Sequence, residues 1–225
     1  MKALTEKHLA ILRRHMVEVV EIEYELSVEE TGRERPGDAV RAAMLDVPRH
    51  LFVPPPLAAM AYHDRPLPIG FDKTISQPFI GALMIDLLDL EPDSRVLEVG
   101  TGLGYQTALL ATLTGSVWSV DVVEEFVEAA AARLALLGHG NVSLRVGDGS
   151  RGWPDEAPFD AVLVSAAAKD VPSALAAQLT IGGRMVLPVG EPGAQRLVRA
   201  ERLGEDELGV QEIMRVQFTE LETAG

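Results

Sequence analysis

A chain of 225 residues is within the size of one α/β domain and long enough to bury a substantial core. Its formal net charge of −14 argues against nucleic acid or an anionic membrane as a partner, because both are held by clustered Lys and Arg. With no cysteine it has no disulfide framework, no thiolate nucleophile and no cysteine-based zinc site, which is compatible with a reducing compartment.

Residues 1–8 lack an uninterrupted apolar run, and Arg13, Arg14, Glu18, Glu21 and Glu23 place charges throughout the next stretch, so no signal peptide is expected. No stretch approaches the ~20 apolar residues of a spanning helix, and the expectation is a cytoplasmic protein. From 4 to 26, Leu9, Leu12, Met16, Val19 and Val20 recur at three- and four-residue spacing and predict an amphipathic helix. Pro36-Gly37-Asp38 breaks the chain, and Asp38 can cap a short helix through Met44 that stops before Pro48. Residues 49–70 carry Pro54, Pro55, Pro56, Pro66 and Pro68 and predict an extended surface loop; long ordered loops are often functional.

After Pro78 a helix is expected to about 88. An alternation comes next, with strands at 95–99, 117–121, 142–146, 161–165 and 184–189, and helices at 105–114, 124–137 and 172–179. Beyond Gly190, alternating segments at 196–202 and 210–218 predict an antiparallel hairpin at one sheet edge. The expected fold is α/β: a Rossmann-like, doubly wound, mostly parallel sheet with a C-terminal antiparallel hairpin and an N-terminal helical segment. Within one domain over 1–225, the expected parts are N-terminal helices (1–48), a substrate and active-site loop (49–80), a cofactor-binding core (94–190) and the hairpin (191–225).

The sharpest local signal is Leu97-Glu98-Val99-Gly100-Thr101-Gly102-Leu103-Gly104-Tyr105, a strand entering a glycine-rich turn and then a helix. Such a turn lets a ligand approach the backbone closely, and G-x-G-x-G followed by Tyr105 leans towards S-adenosyl-L-methionine rather than a dinucleotide. The same turn also serves tight strand-to-helix packing alone. Asp121 ends the next strand about 20 residues on, where a carboxylate accepts from both ribose hydroxyls, although it equally suits a helix cap near Val122. Asp148, between Gly147 and Gly149 after the third strand, could accept from an adenine amino group; alone it would be only a turn. Three such sites at successive strand ends are more specific than any one of them, since ligands of open α/β sheets bind at that edge.

These residues reach the pattern of class I methyltransferases. The blocks Val47-Pro48-Arg49-His50-Leu51-Phe52-Val53-Pro54, Arg65-Pro66-Leu67-Pro68-Ile69-Gly70, Thr74-Ile75-Ser76-Gln77-Pro78, Gly147-Asp148-Gly149, Ala157-Pro158-Phe159-Asp160-Ala161 and 182–190 narrow the family. Together they resemble the signature blocks of protein-L-isoaspartate O-methyltransferases, in order over roughly residues 40 to 190. The resemblance implies methyl transfer from S-adenosyl-L-methionine to the α-carboxyl of L-isoaspartyl residues in damaged proteins and peptides. It implies Ser76 as the active-site residue, cofactor contacts at Thr74, Glu98, Gly100, Thr101, Gly102, Gly104, Asp121, Asp148 and Gly149, and no metal. A monomer is expected. The competing readings are a relative that methylates aspartate in a dedicated precursor peptide, a small-molecule methyltransferase, and a cofactor-binding protein without activity. Without the family context, Ser76 would read as an ordinary loop serine bonding its own backbone.

Two stretches depart from the family pattern. The lead-in through Arg35 is longer and more acidic than usual, and Glu220 stands where proline is common, in a segment that lies near the substrate cleft in relatives. Of His8, His15, His50, His63 and His139, only His8 and His15, seven apart on one helical face, have close metal-ligand spacing; all five read as solvated side chains, with lining of the substrate cleft the alternative for His63. Trp153 and Phe159 are expected to pack beneath the sheet.

Overall fold

A computed structural model describes residues 5–223, so the predicted helix start at Leu4 lies outside the described residues. Helix α1 (Glu6–Leu26) begins where the Thr5 side chain accepts from the His8 amide at 3.4 Å and His8 Nδ1 accepts from the Thr5 amide at 3.2 Å. Its buried stripe of Leu9, Met16, Val17, Val20 and Tyr24 packs on α3 (Asp38–Asp46) and α4 (Pro78–Asp86), with the short α2 (Val28–Thr31) between α1 and α3. Tyr24 meets Phe79 of α4 edge to face at 5.5 Å.

The proline-rich stretch is more ordered than its composition predicts. Single 3-10 turns occupy Arg49–Phe52 and Pro55–Met60, and a two-stranded hairpin comes after them, β1 (Leu67–Gly70) against β2 (Lys73–Ile75). Phe71 and Asp72 at its tip both have positive φ, 51° and 54°, as a two-residue hairpin turn of the primed kind requires. Neither is a glycine, so the sequence carries no turn signal, and the Phe71 ring is instead seated edge to face on Phe126 at 5.3 Å.

The remaining elements alternate as β3 (Arg95–Val99), α5 (Tyr105–Leu113), β4 (Ser116–Asp121), α6 (Glu124–Leu136), β5 (Val142–Val146), β6 (Phe159–Val164), α7 (Ser173–Ala176), β7 (Leu179–Val189), β8 (Arg196–Arg202) and β9 (Leu208–Arg215). They form a seven-stranded sheet in the order β5-β4-β3-β6-β7-β8-β9, parallel from β5 through β7 and antiparallel across β8 and β9. Strands β3 and β6 are neighbours, but the chain leaves β3 towards β4 on one side and enters β7 from β6 on the other. The order therefore reverses between them, the place where open α/β sheets open a crevice.

Several boundaries differ from expectation, among them β6, which runs Phe159–Val164 against 161–165, and β7, which starts at Leu179 and not at 184. Helix α7 stops at Ala176 because Leu179, fully buried beside Phe159, has already joined β7. Strand β9 ends at Arg215, because residues 216–218 leave β8 and are gripped by Gln195, whose carboxamide bonds both the amide and the carbonyl of Phe218. A short parallel bridge between Ala167 and Glu220 then brings the C-terminal tail across the strand ends of the sheet. No helix among the described residues is long and apolar enough to cross a membrane.

Candidate functional site

At the C-terminal ends of β3, β4 and β6 lies a cavity whose floor is Gly100, Thr101 and Gly102, with Asp121 and Gly149 on one side and Thr74 and Ser76 on the other. Tail residues Thr219 to Glu222 complete its wall, and Lys73 forms an ion pair with Glu222 that ties tail to hairpin. Of the residues read from the sequence, Thr74, Ser76, Gly100, Thr101, Gly102, Asp121 and Gly149 meet here. Glu98, Gly104 and Asp148 do not line it.

Asp121 lines the cavity, but it does not cap the next helix, since the N-cap of α6 is Val123 and no side chain caps it. The Asp121 Oδ2 accepts from the Gly102 amide at 2.8 Å and its Oδ1 from the Val123 amide at 3.0 Å. Each carboxylate oxygen has a second lone pair, so fixing the glycine turn does not exhaust its capacity to accept from a ligand. Gly149 is required by close approach, because a Cβ there would stand 2.4 Å from Val99 Cγ1.

The three residues that fall outside the cavity act beneath or beside it. Glu98 is fully buried, its Oε2 accepting from Thr107 and Ser119 at 2.6 Å each. Ser119 in turn lies 2.6 Å from Thr101 Oγ1, so Glu98 anchors the floor from below instead of touching a ligand. Desolvation pushes its pKa up to about 7 against the opposing hydrogen bonds of Ser119 and Thr107. Gly104 opens α5 with a φ of 93°, and its missing side chain admits α6, since a Cβ would meet that of Ala130 at 3.0 Å. The Asp148 carboxylate turns into its own 3-10 turn, accepting from the amide and hydroxyl of Ser150 at 3.0 and 2.6 Å and pairing with Arg151 at 3.4 Å. Of this turn only Gly149, its neighbour, lines the cavity.

Ser76 sits on a braced loop. Arg49, 1% exposed, donates from Nη2 to the Ser76 carbonyl at 2.7 Å and from Nε to the Ala61 carbonyl at 2.8 Å, and its guanidinium lies 4.9 Å over the Tyr105 ring. Burial pushes its pKa down to about 10, so it remains a cation at neutral pH. On the far side, Asp64 accepts from Gln77 Nε2 at 2.7 Å and from the Phe79 amide at 2.8 Å. The Ser76 hydroxyl makes no hydrogen bond within the described residues.

A second groove opens on the opposite side of Ser76, between α1 and α4 and the segment from Met214 to Thr219; the two openings share Thr74, Ser76, Ser165 and Thr219. Three residues of the first cavity's wall also carry polar atoms sealed from solvent without a partner among the described residues: Tyr105 OH, Gln106 Nε2 and Ser165 Oγ. Buried polar groups normally have partners, so orphans in a cavity wall suit a polar ligand such as S-adenosyl-L-methionine, with its ribose hydroxyls and amino-acid end. Sequence reading misses Arg49 as a brace, Gln106 and Ser165, the first of which lies inside a proline-flanked block; the tail, expected near the substrate cleft from the family resemblance, also walls the cofactor cavity.

Comparison with known proteins agrees with this geometry. The family model for protein-L-isoaspartate(D-aspartate) O-methyltransferase matches residues 25–224. The chain is 45% identical over 221 residues to protein-L-isoaspartate O-methyltransferase 1 of Polaromonas sp. (strain JS666 / ATCC BAA-500), covering 98% of this chain and 94% of that protein. It is 54% identical over 183 residues to protein-L-isoaspartate O-methyltransferase of Anaeromyxobacter dehalogenans (strain 2CP-C), covering 80% and 87%. A solved protein-L-isoaspartate O-methyltransferase superposes with a TM-score of 0.77 at 26% identity, over 95% of this chain and 66% of the other. A Plasmodium falciparum protein in complex with S-adenosyl-L-homocysteine shares the fold, with a TM-score of 0.74 at 23% identity over 92% and 99% of the two chains.

Proposed function

The chain belongs to the protein-L-isoaspartate(D-aspartate) O-methyltransferase family, and from that premise we propose how its residues divide the work. The enzyme transfers a methyl group from S-adenosyl-L-methionine to the α-carboxyl of L-isoaspartyl residues in damaged proteins and peptides. When bound, that cofactor supplies a methyl already activated by a positive sulfur. Gly100, Thr101, Gly102, Asp121 and Gly149 would hold it, with Thr74 at the rim; Glu98 and Gly104 support the turn through packing, and Asp148 holds the shape of the 147–150 turn.

An isoaspartyl α-carboxyl has an ordinary pKa of about 3.5 and is ionised at neutral pH, so the site needs no general base. The residues must take the carboxylate out of water and orient one oxygen. Ser76 does this by donating its hydroxyl hydrogen to the carboxylate, while Arg49 and Asp64 fix the loop on either side. Methylation turns the carboxylate into an ester; the neighbouring backbone amide nitrogen then attacks the ester carbonyl carbon, the methoxy group leaves as methanol with the amide proton, and a succinimide forms without help from the protein.

What carries this assignment is the position of Ser76 at the junction of the cofactor cavity and the groove. The loop at 49–80 presents the substrate site, the core at 94–190 holds the cofactor, and Met214 to Thr219 of the C-terminal segment wall the groove, beside the N-terminal helix α1. The net charge of −14 favours a monomer and disfavours nucleic-acid and anionic-membrane partners, and the absence of cysteine is compatible with the cytoplasm. Ser76→Ala is the direct test: a fall in methyl transfer of about tenfold or more with S-adenosyl-L-homocysteine affinity retained is expected. Unchanged turnover would remove Ser76 from the mechanism.

A further inference from the structure

Four residues border both the cofactor cavity and the peptide groove, and two of them, Thr74 and Thr219, are exposed. The other two are serines. Ser76 lies on the loop braced by Arg49; Ser165 comes after β6 on the opposite side of the junction, held by its amide donating to the Val99 carbonyl at 2.8 Å. It faces the glycine turn at contact distance, since a Cβ on Gly100 would stand 3.3 Å from that of Ser165.

The Ser165 hydroxyl is sealed from solvent and has no hydrogen-bond partner among the described residues, although the residue as a whole is only half-buried. An orphaned hydroxyl is costly, and nothing local compensates for it. The other orphans in the wall, Tyr105 OH and Gln106 Nε2, border the cofactor cavity alone, whereas Ser165 borders both openings. With no bond to break, the hydroxyl is free to turn between staggered rotamers.

We propose that Ser165 is a second catalytic hydroxyl, which donates to the isoaspartyl carboxylate from the side opposite Ser76. A carboxylate has two oxygens and about four lone-pair sites, so it can accept from both serines at once. One donor to each oxygen would fix the plane of the group as well as its position, which a single hydroxyl on a loop cannot do. Neither serine has to give up its proton, because the nucleophile is already an anion.

This inference rests on the placement of the substrate carboxylate at Ser76, and the experiment separates the two. Ser165→Ala, Ser165→Thr, Ser76→Ala and the double alanine variant would be compared for kcat and KM with an isoaspartyl peptide, for S-adenosyl-L-homocysteine affinity by calorimetry, and for Tm. Loss of one hydrogen bond to a charged group predicts a fall of about 10- to 100-fold in kcat/KM for Ser165→Ala. S-adenosyl-L-homocysteine affinity should stay within about twofold, well short of the effect of a lost charged hydrogen bond. Ser165→Thr, which keeps the hydroxyl, should restore most of the loss. Tm should stay the same or rise, because deleting an orphaned hydroxyl removes a cost, whereas a purely structural serine would lower it. The double variant should lose less than the product of the single losses if both hydroxyls serve one carboxylate. Unchanged kcat/KM in Ser165→Ala with an impaired Ser76→Ala overturns the role of Ser165 alone. A parallel loss of S-adenosyl-L-homocysteine affinity also overturns it, moving the hydroxyl to the cofactor. Full activity in Ser76→Ala would overturn the placement on which it rests.

Discussion

Glu98 offers a quantitative test of the support beneath the glycine turn. It is fully buried, and desolvation pushes its pKa up to about 7 from an ordinary 4.5. The folded protein therefore keeps the proton over a pH range in which the unfolded chain has already released it. Its contribution to stability is complete below pH 4.5 and is lost as pH rises through 7, at ~1.36 kcal/mol per pH unit, or about 3 kcal/mol over the interval. Glu98→Gln removes the titration while keeping an oxygen to accept from Thr107 and Ser119; its amide nitrogen takes the place of Oε1, which has no partner, and that cost does not vary with pH. Urea unfolding of both proteins at several pH values between 4.5 and 8 isolates the titrating part. The wild type should lose about 3 kcal/mol relative to the variant across this range, most steeply between pH 5 and 7. A constant difference between the two proteins would refute the raised pKa and the desolvation that causes it.

Other consequences arise from single contacts. Arg49→Met leaves the Ala61 and Ser76 carbonyls without their buried donor, so stability should fall by about 1–3 kcal/mol and kcat should drop while S-adenosyl-L-homocysteine affinity holds; an unchanged kcat would show that the brace does not position Ser76. Asp121→Ala releases the amides of Gly102 and Val123 and removes the acceptor facing the cavity, so calorimetry should show S-adenosyl-L-homocysteine binding about 10- to 100-fold weaker, against an expectation of unchanged affinity for a purely structural carboxylate. Gly149→Ala forces a methyl to within 2.4 Å of Val99 Cγ1 and should cost about 1–3 kcal/mol in thermal or urea unfolding, partly recovered when combined with Val99→Ala.

The alternating core is legible in the sequence because it depends on local pattern. Continuous apolar strands, a glycine turn after the first of them and an acid after the next reflect the needs of a buried parallel sheet with a ligand at its edge. The strand at Arg95–Val99 has the bounds its apolar run predicts. Local pattern does not reveal which way a polar side chain faces: Glu98 and Asp148 stand next to residues of the cavity wall but turn away from it, towards Thr107 and Ser150. Those choices depend on partners elsewhere in the fold. The hairpin at Leu67–Gly70 and Lys73–Ile75 has no sequence signal because Phe71 and Asp72 adopt positive φ without a glycine, held by a distant ring. Ser76 is found through family resemblance, while Ser165 needs the structure, since a serine after a buried strand has no signature until its missing partner is seen.

The most direct measurement is methyl transfer from labelled S-adenosyl-L-methionine to two synthetic peptides that are identical except for L-isoaspartate in one and L-aspartate in the other. Label confined to the isoaspartyl peptide, and released by mild base as expected of an ester, is the predicted result. Equal labelling of both peptides, or of neither while S-adenosyl-L-homocysteine still binds, would contradict it.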